Sequence, residues 1–319
     1  MLDLSQRDDL PAISLIVATY GRQTELTRLL KSLRRQSFRK FEVIVVDQNE
    51  PGFLAHILDS DDWNFPIRRL QSVGRHGISA ARNIGWREAQ GPILLFPDDD
   101  AWYPPWFLER GLDRLDSTGA DILTGRSVDE AGRSINGRYA KTARSITSSG
   151  VWIMQIEWVT LVRLAAMRAL GGYNEGIGTG GPTPWQAAEG PDLILRGLKT
   201  GLKCVYEPQF YGYHDEYDIR KPTAKAISKA RAYGRGMGFV LRIHSVNWPL
   251  SLYWVARPLY NSLKSLLHGE FRRVYYFASI SLGRLEGRAG RAWNGPVARY
   301  KSSSSKARKQ ATVLSLKSK

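Results

Sequence analysis

Three consecutive carboxylates, Asp98, Asp99 and Asp100, are the feature of this sequence with the clearest chemical meaning. They follow residues 93–96, an apolar run with the length of a buried β-strand. Adjacent ionised carboxylates raise one another's pKa unless a cation shares them. Such oxygen ligands suit Mg²⁺ or Mn²⁺, which bind through one or two carboxylates together with substrate phosphates. The triplet therefore predicts a divalent metal site, with an acidic loop or helix cap as the alternative.

Short apolar runs alternate with helical patterns over the first third of the chain. Residues 13–18, 43–46, 67–73 and 93–96 have the composition of buried strands, and residues 78–85 open a helix. This alternation predicts an α/β fold with a mainly parallel sheet and helices on both faces. Ligands bind such sheets at the carboxyl ends of the strands, where the polar residues of this sequence lie.

The pattern is less regular beyond residue 125. Residues 171–191 are rich in Gly and Pro and predict a long, functional loop. A helix over residues 192–200 and a strand at residues 204–206 are expected to follow. The expected divisions are a catalytic domain over residues 1–220, a basic and aromatic helical region over 221–286, and a basic, disordered tail over 287–319.

Positive charge is concentrated in the last third of the chain. The formal net charge is +16, and residues 220–319 alone hold 21 Lys and Arg against two acids. This asymmetry predicts an anionic partner, either membrane headgroups or nucleic acid, with a merely solvated tail as the alternative. Nothing in the tail resembles a groove-reading module or a base-stacking motif, so we expect no nucleic-acid partner.

Aromatic residues in the basic region suit a segment that lies in a membrane interface. The uncharged run at residues 245–256 is shorter than the about 20 residues that a spanning helix needs. Aromatic side chains beside Arg and Lys are typical of interfacial helices, and packing against the catalytic domain accounts for them equally well. The residues concerned are Trp248, Tyr253, Trp254 and Tyr260.

The rest of the sequence points to a cytoplasmic protein. No basic region with a following apolar core marks a signal peptide at the N-terminus. The single cysteine, Cys204, excludes a disulfide framework and a Cys-rich zinc site. We therefore expect a cytoplasmic protein, peripheral on the inner face of the cytoplasmic membrane.

Five motifs occur in a characteristic order and spacing. They are Val17-Ala18-Thr19-Tyr20-Gly21-Arg22, Val45-Val46-Asp47, Gly77-Ile78-Ser79-Ala80-Ala81-Arg82-Asn83, Phe96-Pro97-Asp98-Asp99-Asp100, and Glu189-Gly190-Pro191-Asp192-Leu193 with Arg196. Together they make residues 13–214 resemble the inverting family 2 glycosyltransferases of GT-A fold. The resemblance implies transfer of a sugar from a nucleotide-diphosphate donor, usually a UDP-sugar, to a saccharide or lipid-linked acceptor in exopolysaccharide or lipopolysaccharide synthesis.

The resemblance also implies roles for individual residues. Thr19, Tyr20 and Asp47 would hold the base and ribose, Arg22, Arg82 and Asn83 would lie near the donor, Asp98 and Asp99 would reach the ribose and donor sugar, and Asp100 would hold the metal with Asp98 and His214. Two of these residues have a structural alternative: Asp47 as a cap at the end of a strand, and Arg82 as the partner of a structural carboxylate. Residues 48–50 depart from the pattern of many relatives, which puts the contacts to the base in doubt.

An inverting transfer needs a base that takes the proton of the acceptor hydroxyl. Many relatives use an Asp directly after the Glu of the last motif, and that position is Gly190 here. We expect Glu189 to be the base, with Asp192 as the alternative; a cap on the following helix is the other interpretation of Asp192. Trp185 either stacks on an acceptor sugar or packs in the core.

Rival functions are weakly supported by the sequence. A dinucleotide enzyme needs Gly-x-Gly-x-x-Gly after the first strand, and residues 19–24 do not supply it. Because Gly190 replaces the usual Asp, an inactive GT-A fold remains an alternative. A protein that binds nucleic acid or membrane through its basic last third is the non-enzymatic alternative.

Overall fold

A mixed β-sheet runs through the computed structural model, which describes residues 10–60, 62–74 and 77–293. Its strands are β1 (Ile13–Thr19), β2 (Phe41–Asp47), β3 (Ile67–Gln71), β4 (Ile93–Leu95), β5 (Ile122–Val128), β6 (Arg144–Ser145), β7 (Thr160–Arg163) and β8 (Cys204–Tyr213). The helices are α1 (Thr24–Arg34), α2 (Ala55–Leu58), α3 (Ile78–Arg87), α4 (Phe107–Thr118), α5 (Leu164–Leu170), α6 (Glu189–Lys199), α7 (Ala224–Ile243), α8 (Trp248–Leu267) and α9 (Phe271–Ala289), with 3₁₀ turns at Val151–Ile153 and Glu157–Val159. The strand order is β3-β2-β1-β4-β7-β5-β8-β6.

Strands β1 to β4 are parallel and end at one edge of the sheet. Thr19 at the end of β1 lies opposite Asp47 at the end of β2. Ala18 forms an isolated bridge with Asp98, just beyond the end of β4. β7 runs antiparallel to β4 and β5, whereas β5 and β8 are parallel. The predicted mixed, mainly parallel sheet is confirmed, and its polar residues meet at the expected edge.

Apolar side chains cover both faces of the sheet. Leu15 and Val45 pack in a core with α1 and α4, whereas Ile16 and Val46 pack in a second core with α3 and α6. Every residue of β2 is buried. Strands buried on both faces lose the alternation of polar and apolar residues, which is why the sequence shows them as continuous apolar runs.

Helix α6 begins three residues earlier than the sequence pattern indicates. Glu189 is its first residue, so residues 189–191 form a helical turn rather than the end of a loop. Pro191 is tolerated there because the N–H groups of the first turn have no intrahelical acceptor. Helix α5 and strand β7 were not predicted because they are only seven and four residues long, whereas α4 and β5 were missed although α4 has apolar residues at helical spacing.

Glycines bring α7 and α9 into backbone contact. A Cβ atom on Gly238 would lie 2.1 Å from the carbonyl oxygen of Arg284, and one on Gly287 would lie 2.1 Å from that of Arg235. No side chain fits at such distances, so the two helices touch along their main chains. Between them Glu286 is completely buried and binds Arg235 at 2.6 Å.

The end of α9 lies inside the tail that the sequence predicts from residue 287. Helix α9 continues to Ala289 because its last turns pack on α7. Residues 294–319, the remainder of the expected tail, lie outside the described residues. Within the described ranges, no helix is both long enough and apolar enough to cross a membrane.

Candidate active site

A cleft of about 710 Å³ opens at the carboxyl edge of the parallel strands. Loops after β1, β2 and β4 form one side, and the start of α6 with helices α7 and α9 forms the other. Seven of the residues singled out from the sequence line it: Tyr20, Arg22, Asp98, Asp99, Asp100, Glu189 and His214. The topology thus gathers residues from four of the five sequence motifs in one cavity.

Asp99 and Asp100 share Arg22, the last residue of the first motif. The Arg22 guanidinium lies 2.6 Å from an Asp99 oxygen and also contacts Asp100. On its other side, Asp100 Oδ1 lies 3.2 Å from His214 Nε2. Burial by itself raises the pKa of Asp100, but His214 and Arg22 outweigh it and hold that pKa at about 2. Asp100 is therefore a stable anion at the centre of the cleft.

Asp98 is separated from Asp100 by its contact with Arg82. The almost completely buried Arg82 binds Asp98 Oδ1 at 2.8 Å and Glu189 Oε1 at 3.1 Å. Burial raises the pKa of Asp98 to about 6, although Arg82 opposes the shift. Asp98 lines the cleft with one oxygen bound to Arg82, and its role as a metal ligand stays a prediction. Arg82 itself joins two carboxylates and does not line the cleft.

Asp100 and His214 are the two residues whose geometry fits a divalent cation. His214 Nδ1 lies 2.7 Å from the Asp215 carbonyl oxygen, a contact that orients the ring with Nε2 towards Asp100. Across the described ranges, no three His, Cys, Asp or Glu side chains converge as a ready-made metal site. A cation here would take one carboxylate and one imidazole from the protein and its other ligands from phosphates and water.

Glu189 stands at the first position of α6, beneath a glycine-rich loop. The preceding residue, Ala188, has φ of 77°, a left-handed conformation that costs about 1–3 kcal/mol outside glycine. A Cβ on Gly178 would lie 2.8 Å from Ser79 Oγ and 3.5 Å from Glu189 Cδ, so the loop passes directly over the carboxylate. Burial raises the pKa of Glu189, and Arg82 opposes that shift.

Asp192 is buried and does not line the cleft, so its role as the alternative base stays a prediction that the geometry does not favour. Its two oxygens lie 2.9 Å from Arg196 Nε and 2.8 Å from His244 Nε2. Only 1% of Asp192 is exposed, so no acceptor hydroxyl can reach it. It does not cap the helix either, since α6 has Ala188 at the N-cap and no side-chain cap. Asp192 instead fastens α6 to the end of α7.

Thr19 and Asp47, expected at the base and ribose, are buried outside the cleft lining. Asp47 Oδ1 accepts hydrogen bonds from the backbone and side-chain nitrogens of Asn49 at 2.9 and 2.8 Å, and Arg69 Nε lies 3.1 Å from Asp47 Oδ2. These contacts agree with the alternative role of Asp47, a structural cap at the end of strand β2. The residue that reaches the cleft from this loop is Gln48.

Asn83 ties α3 to the loop before α6, and it does not lie in the cleft lining. Its Nδ2 donates to the Tyr173 carbonyl at 2.8 Å and to Glu175 Oε1 at 3.1 Å. Its Oδ1 accepts from the Tyr173 N–H at 2.8 Å and from Trp86 Nε1 at 3.0 Å. All of its side-chain hydrogen-bonding groups have partners inside the protein, and the expected position of Asn83 near the donor stays a prediction.

Trp185 packs against α7. Its ring stacks on Phe239 with centroids 4.6 Å apart and an interplanar angle of 4°. It does not line the cleft. One face of the indole is therefore covered, as in the packing alternative, and the structure does not support Trp185 as an acceptor platform.

Several cleft residues escape the sequence analysis. Glu157, on the turn before β7, lines the cleft, and burial followed by the negative charge of Glu189 raises its pKa to about 7. Lys229 and Tyr233 line it from α7. The Lys229 ammonium lies 5.0 Å from the Tyr233 ring centroid. Lys229 and Tyr233 are four residues apart and therefore lie on the same face of α7, a spacing that could have revealed them in the sequence. Glu157 belongs to no sequence motif.

Comparisons with known proteins agree with this geometry. Residues 14–168 match the model of Glycosyl transferase family 2. An uncharacterized glycosyltransferase of Haemophilus influenzae is 33% identical over 104 residues, covering 33% of this chain and 34% of the relative. The poly(ribitol-phosphate) beta-N-acetylglucosaminyltransferase TarS of Staphylococcus aureus is 29% identical over 139 residues, covering 42% of this chain and 24% of TarS.

Solved structures share the fold. TarS residues 1–349 in complex with UDP-GlcNAc align with a TM-score of 0.53 at 16% identity, covering 88% of this chain and 93% of that one. The mannosyltransferase PcManGT of Pyrobaculum calidifontis, in complex with GDP-Man and Mn²⁺, aligns with a TM-score of 0.60 at 15% identity, covering 89% and 88%. These similarities establish the GT-A fold. The sequence matches to the curated relatives span only 24% to 39% of those proteins.

Proposed function

We propose, because residues 14–168 match the model of Glycosyl transferase family 2, that the chain transfers a sugar with inversion from a nucleotide-diphosphate donor to a saccharide or lipid-linked acceptor. One observation carries the proposal: Asp100 paired with His214 and the buried Glu189 face the same cleft. The first pair suits a diphosphate with its cation, and Glu189 suits an acceptor hydroxyl. The name of TarS contains poly(ribitol-phosphate), and this similarity favours an acceptor in cell-envelope polysaccharide synthesis.

The donor is expected to lie along the edge that carries the carboxylates. Tyr20 and Gln48 flank this end of the cleft and would contact the nucleotide, for which uridine is our first choice. Asp100 and His214 would hold Mn²⁺ or Mg²⁺ with the diphosphate. When bound, the cation neutralises charge that develops on the departing diphosphate. Asp99, held by Arg22, would reach the donor sugar.

The acceptor is expected to enter between α6 and α7. Its hydroxyl attacks the anomeric carbon on the face opposite the diphosphate, which inverts the configuration. Glu189 lies 3.1 Å from Arg82, and Arg82 in turn holds Asp98, so the position of the base is fixed relative to the donor side. A carboxylate with a raised pKa is well matched to proton transfer near neutral pH.

A donor panel tests the proposed reaction. We expect Mn²⁺- or Mg²⁺-dependent release of one nucleotide from a set of UDP-, GDP- and dTDP-sugars, measured by nucleotide-release chromatography. Release should stop with EDTA and fall at least about 10²-fold in Glu189→Gln, the usual scale of general base catalysis. Calorimetry with the same donors is the companion measurement. Donor binding without turnover on any saccharide or lipid-linked acceptor would identify an inactive fold, and no binding of any donor would contradict the proposal.

We also propose that the helical region holds the protein against anionic lipid. Large apolar side chains project from α8 and the start of α9, including Trp248 at 70% exposure and Leu267 at 78%. Exposed aromatic and leucine side chains in a basic helical region match the composition of interfacial helices. Each Lys or Arg near the surface adds about 1 kcal/mol of attraction to anionic lipid. The inner face of the cytoplasmic membrane would present such lipid together with lipid-linked acceptors.

Vesicle sedimentation tests the membrane contact. The double variant Trp248→Ser/Leu267→Ser should bind phosphatidylglycerol vesicles at least about tenfold more weakly than the wild type, because each buried large side chain contributes about 1.5–3 kcal/mol. Leu10→Ser, which removes an exposed leucine outside the helical region, is the matched control. Equal binding of the wild type and the double variant, or preference for duplex DNA over vesicles, would contradict the proposal.

A further inference from the structure

The space beside Gly190 is already filled by another carboxylate. A Cβ atom on Gly190 would lie 2.5 Å from Glu157 Cγ and 2.6 Å from Glu157 Oε1. The N–H of Gly190 donates a hydrogen bond to the same Glu157 Oε1 at 3.1 Å. Glu157 therefore occupies the place into which any side chain at position 190 would extend.

Glu157 reaches this place from a different part of the sheet. It lies on the turn that leads into β7, next to β4 in the sheet, and it lines the cleft. Among the described residues it forms no salt bridge, whereas the neighbouring Glu189 is bound to Arg82. A half-buried carboxylate without a salt bridge is costly, and such groups are common at functional sites.

We propose that Glu157 supplies the carboxylate that Gly190 cannot, and that Glu157 and Glu189 act as a pair that accepts the proton of the attacking hydroxyl. This inference rests on the proposed transfer reaction. It assigns the base to two residues that come from separate elements, the 3₁₀ turn before β7 and helix α6, rather than to two consecutive residues of one motif.

The proposed step conserves atoms and charge. The acceptor oxygen forms a bond to the anomeric carbon, while the bond from that carbon to the diphosphate oxygen breaks. The diphosphate leaves with the electron pair of that bond, and the hydroxyl proton moves to the carboxylate pair. Two neighbouring carboxylates bind the first proton more tightly than either would alone, so the pair can hold this proton near neutral pH.

The surroundings of Glu157 favour such a role. The charged or titratable groups that act on it or that it acts on are Glu189, Arg82, Asp98, Tyr139 and Tyr173. Burial and the charge of Glu189 raise the pKa of Glu157 to about 7, and Arg82 opposes the shift. Because burial raises the pKa of both carboxyls, the proton of the hydroxyl is accepted by the pair rather than by one assigned member.

Moving the carboxylate across the contact tests the proposal. Glu157→Gln and Glu157→Ala should each lower kcat about 10²-fold or more, with the KM for the donor changed less than about threefold. In the double variant Glu157→Ala/Gly190→Asp, the new carboxylate enters the vacated space, and kcat should recover at least about tenfold over Glu157→Ala. The matched control is Glu157→Ala/Gly190→Asn, which has nearly the same shape without the charge and should not recover.

Two results of the relocation experiment would overturn the proposal. One is full activity of Glu157→Gln, and the other is equal recovery by the Asp and Asn double variants. The first would leave Glu189 as the sole base. The second would show that Glu157 only fills space beside Gly190. The pH dependence of kcat is a further test. If Glu157 belongs to the base, kcat should fall on the acidic side at a lower pH in Glu189→Gln than in the wild type, because the charge of Glu189 no longer raises the pKa of Glu157.

A readout without turnover separates this inference from the proposed reaction. With glutamate labelled by ¹³C at the carboxyl carbon, the wild type should show a resonance that titrates near pH 7. That resonance should be absent in Glu157→Gln and should titrate at lower pH in Glu189→Gln. If no donor reacts yet this pattern appears, the transfer reaction fails while the carboxylate pair stands. If donors react and the pattern is missing, the pair is wrong.

Discussion

Asp100→Ala is expected to lower kcat/KM for sugar transfer about 10³-fold, the largest effect of any single substitution in the cleft. The carboxylate is the only one within contact of both His214 and Arg22 among the described residues. Its loss removes the anion around which a cation and diphosphate would assemble. Several kcal/mol of charge stabilisation in the transition state correspond to this factor, since about 1.4 kcal/mol is tenfold in rate.

The fold should survive this substitution. Arg22 keeps its 2.6 Å contact with Asp99, and the strand that precedes the triplet is buried independently of Asp100. Thermal unfolding of Asp100→Ala should therefore match that of the wild type within a few degrees, while Mn²⁺ titration of activity should show no saturation. Asp113→Ala, on the exposed side of α4, is the matched control and should keep full activity. Metal-dependent transfer at the wild-type rate in Asp100→Ala would contradict the assignment.

Arg82→Met is expected to destabilise the protein by about 3–5 kcal/mol at neutral pH, the usual cost of removing one partner from a buried ion pair. Arg82 is 1% exposed and lies between Asp98 and Glu189. Methionine fills a similar volume, so the loss in the free energy of unfolding should come from the missing positive charge rather than from a cavity. Activity should fall as well, because Glu189 loses the contact that fixes its position.

The destabilisation should depend on pH in a defined direction. Asp98 already has its pKa raised to about 6 by burial, against Arg82, so its ionisation opposes folding. Without Arg82 the pKa of both carboxyls rises further. The difference from the wild type should thus be small below about pH 6, where Asp98 is protonated in both folded proteins, and should grow as the pH rises above that value. Urea unfolding at pH 4.5 and pH 8 measures it.

Arg82→Lys is the matched control for the urea experiment. Lysine keeps the positive charge but lacks the fork that spans two carboxylates, so its stability should lie between those of the wild type and Arg82→Met. An Arg82→Met protein as stable as the wild type at pH 8 would show that Asp98 and Glu189 are neutral without the arginine.

The parts of the fold that could be predicted are those with continuous local signals. Strands β1, β2 and β4 are buried on both faces, so their apolar runs mark them unambiguously in the sequence. The rule that ligands bind at the carboxyl ends of such strands then located the cleft. Strand β7 escaped prediction because four residues, Thr160–Arg163, are too few to show a period.

Sequence motifs predicted the candidate site correctly only for residues whose side chains face the cleft. Asp100 and Glu189 lie there, but Asp192, three residues after Glu189, points to His244 instead. Residues three positions apart lie on the same face of a helix, so the spacing of the motif does not separate the buried Asp192 from Glu189. Glu157 was missed because its contact with Gly190 joins residues 33 positions apart in the sequence.

The glycine contact between α7 and α9 gives the cleft a mechanical link to the outer helices. On its other side α7 abuts the loop before α6, where a Cβ on Gly236 would lie 2.1 Å from the Ala187 carbonyl oxygen. The main chain of α9 therefore contacts that of α7, and the main chain of α7 contacts that of Ala187, two residues before Glu189. Contacts of this kind have no side chains to absorb a displacement. We expect that a tilt of α9 on the proposed membrane surface would shift Glu189 as part of one rigid body, so that the orientation of the helices on lipid would also set the alignment of the proposed base.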